Sequence, residues 1–132
     1  MTPEADYVKH ELCHVIGATL AGAVAVRITR HNPFDYETIV DDWGHTGYSQ
    51  FKDLKGIIAG RVFVPADGDT GVDESYVAQA PVDVVKELEA SFLPLVAKKL
   101  NEFPDAEIEE ILEMLQSGQD VVLRQIENFT VN

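Results

Sequence analysis

Along the opening segment, Val8, Leu12, Val15, Ile16 and Thr19 recur at helical spacing and give a helix one apolar face. Thr2-Pro3-Glu4 marks its start: a capping hydroxyl, a ring with φ already suited to the first helical position, and an acid near the positive end of the helix dipole. The helix is expected to run to Leu20 or Ala21 and to stop at Gly22. Val24, Val26 and Ile28 then alternate with Ala25, Arg27 and Thr29, the period of a half-buried strand, which Asn32-Pro33 breaks. Tyr36 to Val40 is rich in β-formers and predicts a second strand. Asp41 to Gly44 reads as a turn and Gly47 to Phe51 as a third short strand, completing a small antiparallel sheet.

The rest of the chain reads as helical. Leu54, Ile57, Ile58 and Val62 fit a helix from about Asp53 to Phe63, followed by the loop PADGDTG from Pro65 to Gly71. A third helical region extends from near Asp73 towards Leu100, with Val77, Val84, Leu88, Phe92 and Leu95 as its apolar stripe and a kink or break expected at Pro81. Beyond Pro104, Ile108, Ile111, Leu112 and Leu115 form the stripe of a further helix that ends at Gly118, and Val121 to Phe129 predicts a last short helix. The expectation is an α+β fold, one mainly helical domain over residues 1–132, with a small antiparallel sheet beside the first helix.

Composition narrows the functional classes. A chain of 132 residues with 45% hydrophobic and 25% charged residues is long enough for a real core. The apolar stretch from Val15 to Val26 is too short to span a bilayer and lacks the basic flank of a signal peptide, so a soluble, cytoplasmic protein is expected. The single cysteine, Cys13, fits a reducing compartment. A formal net charge of −13 argues against nucleic acid and against an anionic membrane face as partners.

The chemistry lies in His10-Glu11-Leu12-Cys13-His14. Histidines four residues apart on a helix share a face one turn apart, and two such imidazoles can hold one zinc ion. Glu11 lies between them and projects to the side, where it can act on a water without ligating the metal: the H-E-x-x-H arrangement. Zinc lowers the pKa of a water, and a carboxylate beside it takes the proton as a carbonyl is attacked. Two histidines and a glutamate also occur on solvated helix faces. Against that stand Gly17, Ala18 and Ala21, which continue the histidine side of the helix with small apolar residues where a solvated face would carry Lys, Glu or Gln. A covered histidine pair needs partners, and a metal is one. The third ligand would come from Asp67, Asp69, Asp73 or Glu74; on spacing alone, the plainer reading of Asp73 or Glu74 as a helix cap or dipole partner wins.

The order of landmarks resembles a reduced peptidase domain of the FtsH-type ATP-dependent proteases. HELCHVIGATLAG is similar to that family's H-E-x-G-H helix, VAVRITR to its following strand, HTGYSQF to its glycine-bearing strand, IIAGRVFV to its Ala-Gly-Arg helix, and TGVDESYVAQA to the threonine-glycine loop before its third ligand, an aspartate. The resemblance covers about Tyr7 to Ala80. It implies zinc bound by His10, His14 and Asp73, with Glu11 as general base, and a peptide or unfolded protein as substrate. Asp73 keeps the family's residue type, whereas Glu74, four residues before Ala78, keeps its spacing; the resemblance assigns the ligand to Asp73. Cys13 stands where the family has glycine and reads as a small buried core residue. No G-x-x-x-x-G-K-[ST] occurs, so a flexible substrate, a homo-oligomer or a partner protein that feeds the site is expected in place of ATP-driven unfolding.

Weaker signals read more plainly. His31 and His45 are expected in solvated loops, Trp43 as a core plug beside a turn, Arg61 as the partner of an acid, and the Glu-rich face from Glu107 to Glu113 as solvated.

Overall fold

The apolar stripe of the first segment forms helix α1 (Pro3–Leu20), and Gly22, at φ 114°, ends it in a conformation that only glycine adopts freely. The structure, a computed structural model, describes residues 3–44, 51–66, 68 and 71–123. The expected cap Thr2, strand residues 47–50, His45, Asp67, Asp69 and residues 124–129 of the expected last helix lie outside that set.

Strands β1 (Ala25–Asn32) and β2 (Asp35–Asp42) pair as an antiparallel hairpin, with Val26 opposite Val40 and Ile28 opposite Thr38. Their inward positions, Val26 and Ile28, are buried against α1 as the alternation predicts. Asp41 and Asp42, expected in a turn, extend β2; the turn follows, with the Gly44 N–H donating to the Asp42 carboxylate. His31, expected in a loop, lies within β1, one residue before its end, and pairs with Glu37 of β2 at 2.8 Å. The third strand, β3 (Val121–Val122), pairs with β1, which makes the order β2-β1-β3 and corrects the helix expected from Val121. Phe51, expected to end a strand, is instead a left-handed residue (φ 65°) at the head of the next helix.

That helix, α2 (Lys52–Ile58), tightens into a 3-10 turn over Ala59–Val62. After the loop come α3 (Gly71–Ala78), α4 (Val82–Glu87), a π-helical turn over Leu88–Phe92, α5 (Leu93–Leu100) and α6 (Asp105–Gln116). Pro81 breaks α3 from α4, as expected. Leu95, expected on the apolar stripe, is 52% exposed, and Val96 and Leu100 are buried in its place. The π turn explains the shift: it holds an extra residue just before Pro94, whose ring and missing N–H disfavour a regular α turn, so the stripe advances by one position to Leu88, Phe92, Val96 and Leu100. The stripe of α6 is buried as predicted. The fold is therefore α+β and mainly helical, with a small three-stranded antiparallel sheet. Among the described residues no helix is long and apolar enough to cross a membrane.

α1 is covered on both sides. The sheet and the later helices take its Val8–Leu12–Ile16 side, and α2 takes its small side. A Cβ on Gly17 would lie 2.4 Å from the Ala59 Cβ and 2.9 Å from the Lys55 carbonyl oxygen. Gly17→Ala gains about 1 kcal/mol of helix propensity, but overpacking typically costs about 1–3 kcal/mol, and here the obstacles are a backbone carbonyl and a short, buried side chain. Packing should win: urea unfolding of G17A is expected to show a loss of about 1–2 kcal/mol, and an unchanged or raised midpoint would contradict this contact.

The start of α1 is tied down by Glu4. Its carboxylate accepts from Arg30 at 3.0 and 3.1 Å, from the Tyr36 hydroxyl at 2.9 Å and from Gln116 at 2.8 Å. Burial alone would raise the Glu4 pKa; the hydrogen bonds from Tyr36, Arg30 and Gln116 outweigh it and hold the group below its ordinary value of 4.5. The folded pKa is the lower one, so this contribution is present above the unfolded value and is lost as pH falls through the folded one. Wild type should be more stable than Glu4→Gln at neutral pH, and thermal melts should show the gap closing as pH drops below 4.5; a gap that does not change with pH would remove the carboxylate from this role.

Candidate metal centre

One turn of α1 carries His10, Glu11 and His14, and the chain from Gly56 to Phe63 packs across it. The His10 Nδ1 lies 2.6 Å from the Phe63 carbonyl oxygen and the His14 Nδ1 lies 2.8 Å from that of Gly56. A carbonyl only accepts, so each Nδ1 carries the proton and donates it. In the neutral rings both Nε2 atoms then present lone pairs, and these atoms stand 3.3 Å apart. The Asp73 Oδ2 completes the group, 3.2 Å from the His14 Nε2 and 3.9 Å from the His10 Nε2. Among the described residues, these are the acid, histidine and cysteine side chains that lie close enough together to share an ion.

The donor set fits zinc. A tetrahedral ion about 2.0–2.1 Å from each ligand atom sets those atoms about 3.3 Å apart, which the two imidazole nitrogens and the His14–Asp73 contact match, while the His10–Asp73 edge is longer. The backbone carbonyls behind both rings fix tautomer and orientation in the way metal-ligating histidines require. Gly60 supplies the room: a Cβ there would lie 2.5 Å from the His14 Cε1, 2.6 Å from its Nε2 and 2.9 Å from the His10 Cε1.

The charges follow the same geometry. In the metal-free protein, burial and the neighbouring His14 lower the His10 pKa. Burial also acts to lower that of His14, but Asp73, Glu11 and the Gly56 carbonyl outweigh it and raise the net value. Burial acts to raise the Asp73 pKa, and His14 more than reverses it. Glu11, only 7% exposed, is pushed up to about 7, chiefly by burial. The Thr38 hydroxyl of β2 lies 3.3 Å from the Glu11 Oε1 and 3.2 Å from its carbonyl oxygen.

The structure thus brings together His10, His14 and Asp73, with Glu11 buried alongside. Glu74 turns the other way, to Arg61. Cys13 is buried in the core, its thiol donating to the Lys9 carbonyl at 3.4 Å and pushed up to about 12 by burial, and it takes no place in the group. The group opens on a cleft of about 800 Å³ lined by Tyr36, Thr38 and Val40 of β2 and by Ile57 and Tyr76. His31 and Trp43 also border this cleft; Trp43 is half-buried against the core as well. Sequence reasoning did not single out Gly56, Gly60, Phe63 or Thr38. An isolated glycine inside the helical pattern IIAGRVFV is the one signal that pointed to a close approach.

No protein-family model matches the chain, and no match was found among curated proteins or among solved structures. The centre is defined by its own geometry: a His-His-Asp group backed by carbonyls, beside a buried glutamate in an open cleft. Gly60→Ala should drive a methyl group into both imidazoles, and its zinc affinity, read by competition with a chromophoric chelator, should fall at least about tenfold; wild-type affinity in a folded G60A protein would contradict the cradle.

Proposed function

We propose that the protein is a zinc-dependent peptidase that hydrolyses peptide bonds in flexible peptides or unfolded protein segments. The observation that carries the reading is the pairing of a His-His-Asp group with a buried carboxylate that shares a helical turn with the two histidines, both lining one cleft. The likeness of HELCHVIGATLAG, IIAGRVFV and TGVDESYVAQA to landmarks of FtsH-type peptidase domains supports it.

His10, His14 and Asp73 would hold the ion. When bound, zinc supplies a Lewis acid that polarises the scissile carbonyl and brings the pKa of the attacking water towards neutrality. Glu11 takes one proton from that water as its oxygen bonds to the carbonyl carbon, and returns a proton to the departing amine as the C–N bond breaks. Burial beside the histidines keeps Glu11 close to the group and, in the metal-free protein, disfavours its carboxylate form. The Thr38 hydroxyl orients the Oε1. Among the described residues β2 is an outer strand of the sheet, and an extended peptide lying in the cleft would run beside it. The lone, buried Cys13 fits work in a reducing compartment, the cytoplasm.

Glu11→Gln is the direct test. Zinc content by elemental analysis should stay at the wild-type level, while hydrolysis of an unstructured protein should fall about 10²–10⁴-fold. Retained activity in zinc-loaded E11Q would remove Glu11 from the chemistry. A zinc-loaded wild type that cleaves nothing would leave a peptide-binding module in place of an enzyme.

A further inference from the structure

Asp73 reaches the imidazoles from α3, and α3 has little packing to hold it there. It is eight residues long, and only Val77 among its side chains is fully buried. A single buried anchor fixes where a short helix sits but not how it is rotated, and rotation about its axis would carry the Asp73 carboxylate, 31% exposed, away from His14. A second point of attachment is present one residue further on. The Arg61 Nε donates to the Glu74 Oε1 at 2.9 Å and its Nη2 donates to the Oε2 at 2.7 Å, the two-point geometry of a guanidinium on a carboxylate. Its Nη1 reaches Glu89 at 3.5 Å, on the π turn that joins α4 to α5.

Arg61 also follows Gly60 directly in the 3-10 turn. One short segment therefore leaves room for the imidazoles through Gly60 and grips the carboxylate-bearing helix through Arg61.

We propose that Arg61 is a positioning residue: through its two-point grip on Glu74 it sets the rotation of α3 and so the approach of Asp73 to His10 and His14. This rests on the metal-site reading above and deepens it. Glu74, the neighbouring candidate ligand, is then the handle by which Asp73 is held. Lysine is not equivalent here, because its ammonium is a point charge on a flexible stem and lacks the planar two-donor fork that fixes the carboxylate's orientation.

The test compares wild type with R61M, R61K, E74Q and the swapped double variant R61E/E74R. Zinc affinity is measured by chelator competition. R61M, R61K and E74Q should each bind about tenfold more weakly, and the swap should recover most of the loss. A second readout needs no metal: the imidazole ¹⁵N resonance of the His14 Nε2, which senses its contact with Asp73, should shift in R61M and return in the swap. Wild-type zinc affinity and an unmoved resonance in R61M would overturn the proposal. So would loss of binding in E74Q that R61M does not share, since Glu74 would then be a ligand. If wild type binds no zinc, the peptidase reading fails, and the resonance alone still decides whether Arg61 positions Asp73.

Discussion

The structure turns on how closely α1 approaches the segment that follows the hairpin. Gly17 lies against Ala59, Gly56 lies close to Ala18, and Gly60 lies against the rings of His10 and His14. Contacts this short are possible only where a side chain is absent or a single methyl, so small residues on both partners are a condition of the packing. The same approach solves a polar problem. Two half-buried imidazoles need acceptors for their Nδ1 protons, and the carbonyls of Gly56 and Phe63 are within reach because the backbone has come so near. Once those protons are committed, the two Nε2 atoms remain 3.3 Å apart, close enough to share an ion.

Two acids in one site are driven in opposite directions by their surroundings. Glu11, enclosed by α1 and β2, has its carboxylate form disfavoured; Asp73, at the mouth of the cleft and facing His14, has its carboxylate form favoured. In a chain of net charge −13 the acids could have been spread over the surface without consequence. What distinguishes these two is burial and proximity to histidine.

Much of the fold was legible from periodicity because the pattern that predicts a helix or strand is the pattern that gets buried. Val26 and Ile28 point inward as their alternation says, and Ile108, Ile111, Leu112 and Leu115 line the core side of α6. The departures have local or long-range causes. Leu95 leaves the stripe because a π turn before Pro94 shifts the phase, an effect that a fixed helical period cannot contain. Val121 and Val122 are a strand because β1 offers them an unpaired edge far away in sequence; nothing adjacent to them carries that information. His31 falls in a strand because the local β1–β2 hairpin runs on past the apolar alternation, to Asn32 opposite Asp35.

The sequence by itself determined that His10 and His14 share a face of one helix, with Glu11 beside them and small residues following, because helical geometry is local and four residues make about one turn. Helical spacing alone could not choose between Asp73 and Glu74, and the family likeness chose Asp73 by residue type. Adjacent residues on a helix point about 100° apart, and which of them faces the imidazoles depends on how α3 is rotated. Only the tertiary structure decided that, by setting Arg61 where it engages Glu74 and leaves Asp73 turned towards His14. The same holds for Gly60: its place in the chain was plain, but its purpose appears only when the two imidazoles are seen to occupy the space a side chain would have filled.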